Sequence, residues 1–138
     1  VRADLASYEA KFKEAGAKRA MLLNMSVASH CPILEPASVR LASELESTLA
    51  AKFSPVVSNV NAKIYTDKSE ALVLLKEQLI KPVCYKQSIK NYENDVDCFI
   101  ELGATTLKGI NKKITEKPTY SITDMASLEE VVKILEER

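Results

Sequence analysis

The chain has 138 residues, which is enough for one domain with a hydrophobic core and too short for two complete domains. Apolar residues make up 46% of it and charged residues 28%, with three glycines and five prolines, so collagen-like, low-complexity and wholly disordered proteins are excluded. Nineteen basic and nineteen acidic side chains give a formal net charge of zero. The charge therefore gives no reason to expect binding to nucleic acid or to an anionic membrane.

The cysteines favour a reducing, cytoplasmic setting, and the first residue favours a shortened chain. Cys31, Cys84 and Cys98 are odd in number, widely spaced and without a C-x-x-C pair, which argues against a disulfide framework and against a zinc ribbon. No apolar run approaches the roughly 20 residues that span a bilayer. The chain begins at Val1 instead of Met, and we expect a processed or truncated product.

In the first third of the chain the pattern predicts a helix, a strand and a second helix. Apolar residues at helical spacing predict a helix over residues 5–15, ended by Gly16 in a left-handed cap. Residues 20–27 are of strand length and predict a buried strand. Pro32 and Pro36 are expected to bracket a turn. A helix follows, with one apolar face made of Val39, Leu41, Ala42, Leu45 and Leu49.

The middle of the chain predicts two short strands followed by two helices. The strands cover residues 55–57 and 63–65, separated by a polar segment. Asp67, with Glu70 three residues later, predicts the start of a helix that ends near Ile80. The next helix is predicted from Pro82, a favoured residue of the first helical turn, to about Asn94.

The last third predicts one strand and two helices. Residues 96–102 are mostly apolar and predict a strand buried on both faces, as in a parallel sheet, ended by Gly103. Leu107, Ile110 and Ile114 mark a helix that contains Gly109, where we expect a close backbone contact. The C-terminal helix starts at Asp124 or Ser127, with Glu130 available for a capping box with the latter. Its apolar face is Met125, Leu128, Val131, Val132 and Leu135.

Strands that alternate with helices predict an α/β layered fold with a largely parallel sheet. We count four or five short strands, with no internal repeat and no linker between them. These strands do not obviously complete a closed sheet, so part of the sheet is expected to be missing.

His30 is the one histidine of the chain, and it lies where an apolar segment gives way to a proline-bounded loop. Catalytic groups of α/β proteins occupy such positions, although a lone histidine at a strand end is also commonly structural. The neighbouring Cys31 points to the opposite face of an extended segment and is interpreted as a packing residue. No further ligands cluster near His30 in the sequence, which argues against a metal site.

Other catalytic and binding motifs are weak. The three glycines are too scattered for a dinucleotide or phosphate-binding loop, and no serine lies in a G-x-S-x-G pattern, so the chain has a possible base without a nucleophile. Six lysines on two predicted helices form either a partner-binding patch or an ordinary solvated face: Lys81, Lys86, Lys90, Lys108, Lys112 and Lys113.

Five segments in order resemble the malonyl-CoA:acyl-carrier-protein transacylases of bacterial fatty acid synthesis. They are residues 14–20 (EAGAKRA), 26–31 (SVASHC), 55–60 (PVVSNV), 78–83 (QLIKPV) and 99–110, which contains FIELG and LKGI. The segment at 78–83 resembles that family's Q-L-x-x-P-V, and the last one its E-x-G…L-x-G-[LI]. Each segment alone is short, but all five occur in the right order, and the resemblance extends over essentially the whole chain.

The resemblance implies the C-terminal portion of such an enzyme. Residues 1–25 would form the second half of a small ferredoxin-like subdomain, and residues 26–138 the C-terminal part of a larger α/β-hydrolase-like subdomain. The family's nucleophilic serine, its oxyanion-hole groups and the arginine that holds the malonyl carboxylate would lie upstream. The family moves a malonyl group from coenzyme A to the phosphopantetheine thiol of acyl carrier protein through a serine ester, without a cofactor.

The resemblance leaves three interpretations of this chain open. Malonyl-CoA and acyl carrier protein would be partners of the complete enzyme, and the 138 residues alone are expected to be inactive because a base without its nucleophile has nothing to activate. The alternatives are a stand-alone, non-catalytic α/β module that binds acyl carrier protein, and a self-folding fragment with neither activity nor partner.

Four residues receive roles from the resemblance. His30 matches the general base and acid, and the backbone carbonyl of Gln78 matches the group that orients the histidine in place of a carboxylate. Asn59 has a supporting position near the site, and Ser29, the residue before the histidine, shapes the acyl pocket. The turn at residues 104–106 is one residue shorter than is usual in the family, so we expect different contacts there.

Overall fold

The computed structural model describes residues 2–21 and 27–137, with side chains from residue 7 onward. This part of the chain contains both helices and strands, which confirms the predicted α/β class. The α-helices are α1 (Arg2–Glu14), α2 (Glu35–Thr48), α3 (Lys68–Gln78), α4 (Tyr85–Tyr92), α5 (Thr106–Asn111) and α6 (Met125–Glu136). The strands are β1 (Lys52–Val57), β2 (Ile64–Asp67), β3 (Phe99–Leu102) and β4 (Thr119–Ile122).

The four strands form two separate pairs. Strand β1 pairs antiparallel with β2, with Val57 opposite Ile64, whereas β3 pairs parallel with β4, with Phe99 opposite Thr119. The prediction of a largely parallel sheet is therefore wrong for the first pair. Only six residues connect β1 with β2, and a parallel crossover needs a dozen or more. Strand β4 was not predicted.

The N-terminal helix ends as predicted. Gly16 has a φ of +93°, and the N–H of Ala17 donates to the carbonyl of Phe12 over 2.9 Å, which closes the last turn. Most of the strand predicted at residues 20–27 falls on residues 22–26, which lie outside the described part of the chain. At its end, Val27 lies in a bend.

The turn predicted between the two prolines is wrong, because this segment is already helical. Residues Pro32–Leu34 form a 3₁₀ helix that runs directly into α2, and Pro36 lies in the first turn of α2, where a missing N–H costs nothing. The predicted apolar face is half-buried at Leu41, Ala42, Leu45 and Leu49, but Val39 is 51% exposed and the neighbouring Ser38 is buried in its place. The predicted face is therefore wrong at Val39 alone.

Helix α3 begins as predicted, but α4 begins three residues late. The Asp67 carboxylate accepts the Glu70 N–H over 3.1 Å, and the hydrogen bonds from Ser69 and Glu70 hold the Asp67 pKa below its usual range. Helix α4 begins at Tyr85 instead of Pro82, because Cys84 is its N-cap residue and donates its N–H to the Asn59 carbonyl over 2.7 Å.

The core that supports the first sheet is small. Tyr65, Ala71 and Leu74 are buried together, and Phe53 packs against them. The rings of Phe53 and Tyr65 meet edge to face, with 5.8 Å between their centroids. This core fixes α3 against the β1–β2 pair.

The second sheet is covered on one face. Glu101 of β3 is buried, but Ile100 is 44% and Leu102 74% exposed, so the predicted burial of both faces is wrong for the chain as described. The close contact predicted at Gly109 is also wrong, since no atom beyond its chain neighbours and its own helix backbone lies within 4 Å of the place where a Cβ would sit. In α6, Asp124 is the N-cap and forms a capping box with Ser127, and Val131 is the buried member of the predicted apolar face.

The chain exposes more surface than a compact protein of its size. Its solvent-accessible area is 10178 Å². A folded monomer of 15.3 kDa exposes roughly 7100 Å². Within the described residues, no helix is both long and apolar enough to cross a membrane.

Candidate active site

His30 lies in a tight turn directly before the 3₁₀ helix. Its backbone has a φ of +56°, in the left-handed region that non-glycine residues rarely occupy, and the N–H of Ser29 donates to the carbonyl of Val27 over 3.1 Å. The side chain of His30 is exposed. The turn therefore presents the imidazole to solvent on a constrained backbone.

The C-terminus of α3 holds this turn at two points. The Nδ1 atom of His30 lies 2.7 Å from the carbonyl oxygen of Gln78, and the N–H of Cys31 donates to the carbonyl oxygen of Leu79 over 3.1 Å. A carbonyl oxygen can only accept, so Nδ1 carries the proton in this contact. In the neutral ring, Nε2 then has a free lone pair with which to accept a proton.

The second loop at the site carries Asn59, between β1 and β2. Its side-chain Nδ2 donates to Oε1 of Gln78 over 3.2 Å. The structure thus brings together three of the four predicted site residues, although they are far apart in sequence. Ser29 lies in the His30 turn, and its predicted contribution to an acyl pocket stays a prediction.

Two of the three cysteines contribute backbone groups to these contacts. Cys31, Cys84 and Cys98 are free and half-buried. Cys31 and Cys84 contribute their backbone N–H groups to the site, to Leu79 and Asn59 respectively. In residues 2–21 and 27–137, no group of three His, Cys, Asp or Glu side chains is placed to bind a metal ion.

The predicted lysine patch is divided. Lys90, Lys112 and Lys113 line a groove of about 350 Å³ between the end of α4 and the segment after α5, together with Lys117, which the sequence pattern did not single out. Glu93 lies in this groove; a hydrogen bond from the Thr115 hydroxyl and the ion pair with Lys90 hold its pKa below the usual range. Lys81 instead pairs with Glu77 on α3 over 2.7 Å, and Lys86 does not line the groove.

Sequence reasoning missed the groups that hold the His30 turn and Gln78 in place. These are the carbonyl of Leu79, the N–H of Cys84 and the side-chain amide of Asn59, which donates to Gln78. Backbone groups have no signature in a sequence, and the partners are 19 or more residues apart. Only the folding of three loops against one another brings them into contact.

Known proteins similar to this chain are malonyl-CoA–acyl-carrier-protein transacylases. Over 129 residues the chain is 36% identical to the transacylase of Bacillus subtilis, an alignment that covers 91% of this chain and 41% of that protein. The crystal structure of the transacylase from Helicobacter pylori superimposes with a TM-score of 0.91 and 44% identity over 99% of this chain and 45% of that one. No protein-family model matches the chain.

A second similar structure contains a carrier protein. It is a complex of a type II polyketide acyl carrier protein with its malonyl-transacylase, and it matches with a TM-score of 0.77 and 33% identity over 91% of this chain and 41% of that one. The chain spans about two fifths of the length of the curated relatives that it matches. The predicted resemblance is therefore confirmed, and the chain corresponds in sequence and fold to the C-terminal portion of malonyl-CoA–acyl-carrier-protein transacylases.

Proposed function

We propose that this chain supplies the general base of a malonyl transacylase and that His30 is that base. The observation that carries the proposal is the 2.7 Å contact between Nδ1 of His30 and the carbonyl of Gln78, which leaves Nε2 free to accept a proton. The resemblance of residues 26–31 and 78–83 to the family supports the same assignment. The nucleophilic serine would come from a segment outside these 138 residues.

In the first half-reaction, Nε2 of His30 takes the proton from the serine hydroxyl while the serine oxygen attacks the thioester carbonyl of malonyl-CoA. The tetrahedral intermediate collapses, the carbon–sulfur bond breaks, and the protonated imidazole returns the proton to the departing coenzyme A thiolate. A malonyl serine ester remains. The second half-reaction reverses these roles, with the phosphopantetheine thiol of a carrier protein as the attacking group.

The backbone carbonyl of Gln78 replaces the carboxylate found in many catalytic triads. It accepts the Nδ1 proton and so selects the tautomer, but it adds no formal charge next to the ring. Ser29 and Asn59 complete the proposed site, the former beside the acyl group and the latter behind Gln78. We assign residues 1–25 to the ferredoxin-like subdomain and residues 26–138 to the α/β-hydrolase-like one, and we place the reaction in the cytoplasm.

The first test is malonyl transfer from malonyl-CoA to a holo acyl carrier protein. We expect no transfer by the 138-residue chain alone, because the base has no serine to activate. In a complete transacylase that contains this chain, His30→Ala should lower turnover by about three orders of magnitude or more. Transfer by the purified chain alone, or near-normal turnover by the variant, would contradict the proposal.

A second candidate function, a stand-alone module that binds acyl carrier protein, is favoured by the lysine groove. A cluster of lysines would attract an acidic carrier protein. We expect the charge-reversed pair Lys112→Glu and Lys113→Glu to weaken binding measured by calorimetry, whereas Lys86→Glu, outside the groove, should not. Binding by the chain together with an active complete enzyme would make the groove a docking site of the transacylase and not a separate function.

A further inference from the structure

We propose that Asn59 is a positioning residue for His30 and that it acts through the side chain of Gln78. This inference rests on the proposed function, because it assigns a task to a residue behind the proposed base. It goes beyond the resemblance, which gives Asn59 only an unspecified supporting place. Three contacts, each on a different loop, carry it.

The first step is the dependence of the imidazole on the end of α3. The carbonyl groups of Gln78 and Leu79 lie at the helix C-terminus, where carbonyls lack intrahelical partners. They accept instead from Nδ1 of His30 over 2.7 Å and from the N–H of Cys31 over 3.1 Å. The direction in which these two carbonyls point therefore sets the position of the ring.

The second step is the anchoring of Gln78. A residue at the last position of a helix is in the part that frays, so its carbonyl needs a further restraint to keep one direction. The Gln78 side chain is half-buried, and its Oε1 accepts the Nδ2–H of Asn59 over 3.2 Å. This bond joins the end of α3 to a separate loop 19 residues earlier.

The third step is the rigidity of Asn59 itself. Its carbonyl accepts the N–H of Cys84, the N-cap residue of α4, over 2.7 Å. The surrounding turn is closed by the N–H of Ser58 to the carbonyl of Lys63 and by the N–H of Ala62 to the carbonyl of Ser58, each over 2.9 Å. Asn59 is thus fixed on both sides and can hold Gln78 in place.

The backbone of His30 makes this restraint necessary. Its φ of +56° lies in a sparsely populated region, which persists only where surrounding contacts enforce it. If Gln78 is released, the turn can relax to an ordinary conformation and the Nδ1 contact is lost. We expect this release to appear first in the tautomer of the ring.

Nitrogen-15 NMR of the imidazole tests the inference directly, because His30 is the one histidine and its two ring nitrogens need no further assignment. At a pH where the ring is neutral, the parent chain should show the Nδ1–H tautomer. Asn59→Ala should give a several-fold larger share of the Nε2–H tautomer. Asn61→Ala is the matched control, since Asn61 lies in the same turn and its Oδ1 accepts only the local N–H of Lys63 among the contacts described.

A double-mutant comparison separates positioning from general loosening. Gln78→Ala keeps the backbone carbonyl and removes the side chain, so it should shift the ring signals as Asn59→Ala does, and the double variant should add nothing further. This variant leaves the 58–63 turn untouched and carries the test alone if Asn59→Ala does not fold. Ring signals that stay as in the parent chain, or shifts that add in the double variant, would overturn the inference.

The NMR result does not depend on transfer activity. In a complete transacylase, Asn59→Ala should lower kcat with little change in the KM for malonyl-CoA, because Asn59 is proposed to contact Gln78 and not the substrate. A loss of the tautomer without any loss of kcat would remove His30 from the mechanism and leave the positioning contact standing. A KM effect with unchanged tautomer would overturn the positioning role alone.

Discussion

Asn111 shows how one buried polar residue ties the second sheet together. It is 2% exposed, its Oδ1 accepts the hydroxyl of Tyr85 over 2.8 Å, and its Nδ2 donates to Oγ1 of Thr119 over 3.0 Å. These bonds join α4, α5 and β4 through a single side chain. Burial raises the pKa of Tyr85, although the hydrogen bond with Asn111 acts in the opposite direction.

We expect Asn111→Ala to lower the free energy of unfolding by about 2 kcal/mol, because it leaves the Tyr85 hydroxyl and the Thr119 hydroxyl without their partner. Urea denaturation followed by circular dichroism measures this loss. The exposed Asn94→Ala serves as the control, with an expected change below about 0.5 kcal/mol. Equal losses for the two variants would mean that the buried network contributes nothing specific.

At the scale of elements, Glu101 of β3 caps helix α5. Its two carboxylate oxygens accept the N–H groups of Leu107 and Lys108, each over 2.9 Å, and Ser121 of β4 donates to one of them over 3.3 Å. Burial alone would raise the pKa of Glu101, but the hydrogen bonds from these N–H groups and from Ser121 outweigh it. The pKa of Glu101 is therefore lowered.

We expect Glu101→Gln to destabilise the chain at neutral pH and to do so less as the solution is acidified. A carboxylate with a lowered pKa stabilises the fold above the ordinary pKa of about 4.5, and this contribution is lost as the pH falls through the lower folded value. Thermal unfolding from pH 7 to pH 3 should show the two melting temperatures converging. Glu129→Gln, on an exposed position of α6, should differ little from the parent chain at any pH. A gap that stays constant from pH 7 to pH 3 would contradict the assignment.

Two glycines near α5 should respond to alanine in opposite directions. Gly103 has a φ of +80° at the end of β3, so Gly103→Ala should cost about 1 kcal/mol of unfolding free energy. Gly109 lies inside the helix with open space around it, so Gly109→Ala should add about 0.5 to 1 kcal/mol. Chemical denaturation of both variants checks the pair. If Gly109→Ala destabilised the chain, the close backbone contact that the sequence predicted at Gly109 would be supported after all.

Sequence patterns predicted the elements whose signals are local. The start of α3 at Asp67 and the start of α6 at Asp124 depend on side chains within three residues, and both predictions are confirmed. Strand β4 was missed because its inward side chains are polar: Thr119 bonds to Asn111, and Ser121 bonds to Glu101. A strand that buries polar groups lacks the apolar alternation that predicts strands.

The site too could be predicted only in part. The motif around His30 and the segment at Gln78 could be found from resemblance, and the structure brings the ring and the Gln78 carbonyl within 2.7 Å. The bond from Asn59 to the Gln78 side chain could not be predicted, because it depends on how two loops meet. The burial predicted for both faces of β3 was wrong because an apolar strand pattern assumes that another element packs on each face. In the described chain, one face of β3 is exposed at Ile100 and Leu102.

At the scale of the whole molecule, the exposed area affects how steeply the free energy of unfolding falls with denaturant concentration. Folding buries roughly a fifth less surface than in a compact chain of this mass, since 10178 Å² stays accessible in the folded state. The slope of unfolding free energy against denaturant scales with the area that unfolding exposes. A shallow transition is therefore expected even though most of the chain is in regular elements.

We expect the urea slope of the isolated chain to be roughly a fifth smaller than is usual for a domain of 138 residues. Equilibrium denaturation with global fitting measures it. Val131→Ala, at a position 4% exposed, is the control and should lower the midpoint without changing the slope. A slope typical of a compact domain would mean that the exposed faces associate with each other or with a second copy in solution.

The attachment of His30 to the end of α3 has a consequence for charge as well as for geometry. The peptide dipoles of the eleven residues of α3 sum along the helix axis, and their negative end lies at the Gln78 carbonyl that contacts the imidazole. The acceptor that the imidazole meets is thus a backbone group with a partial negative charge. Unlike a buried carboxylate, such a group does not have to be kept ionised.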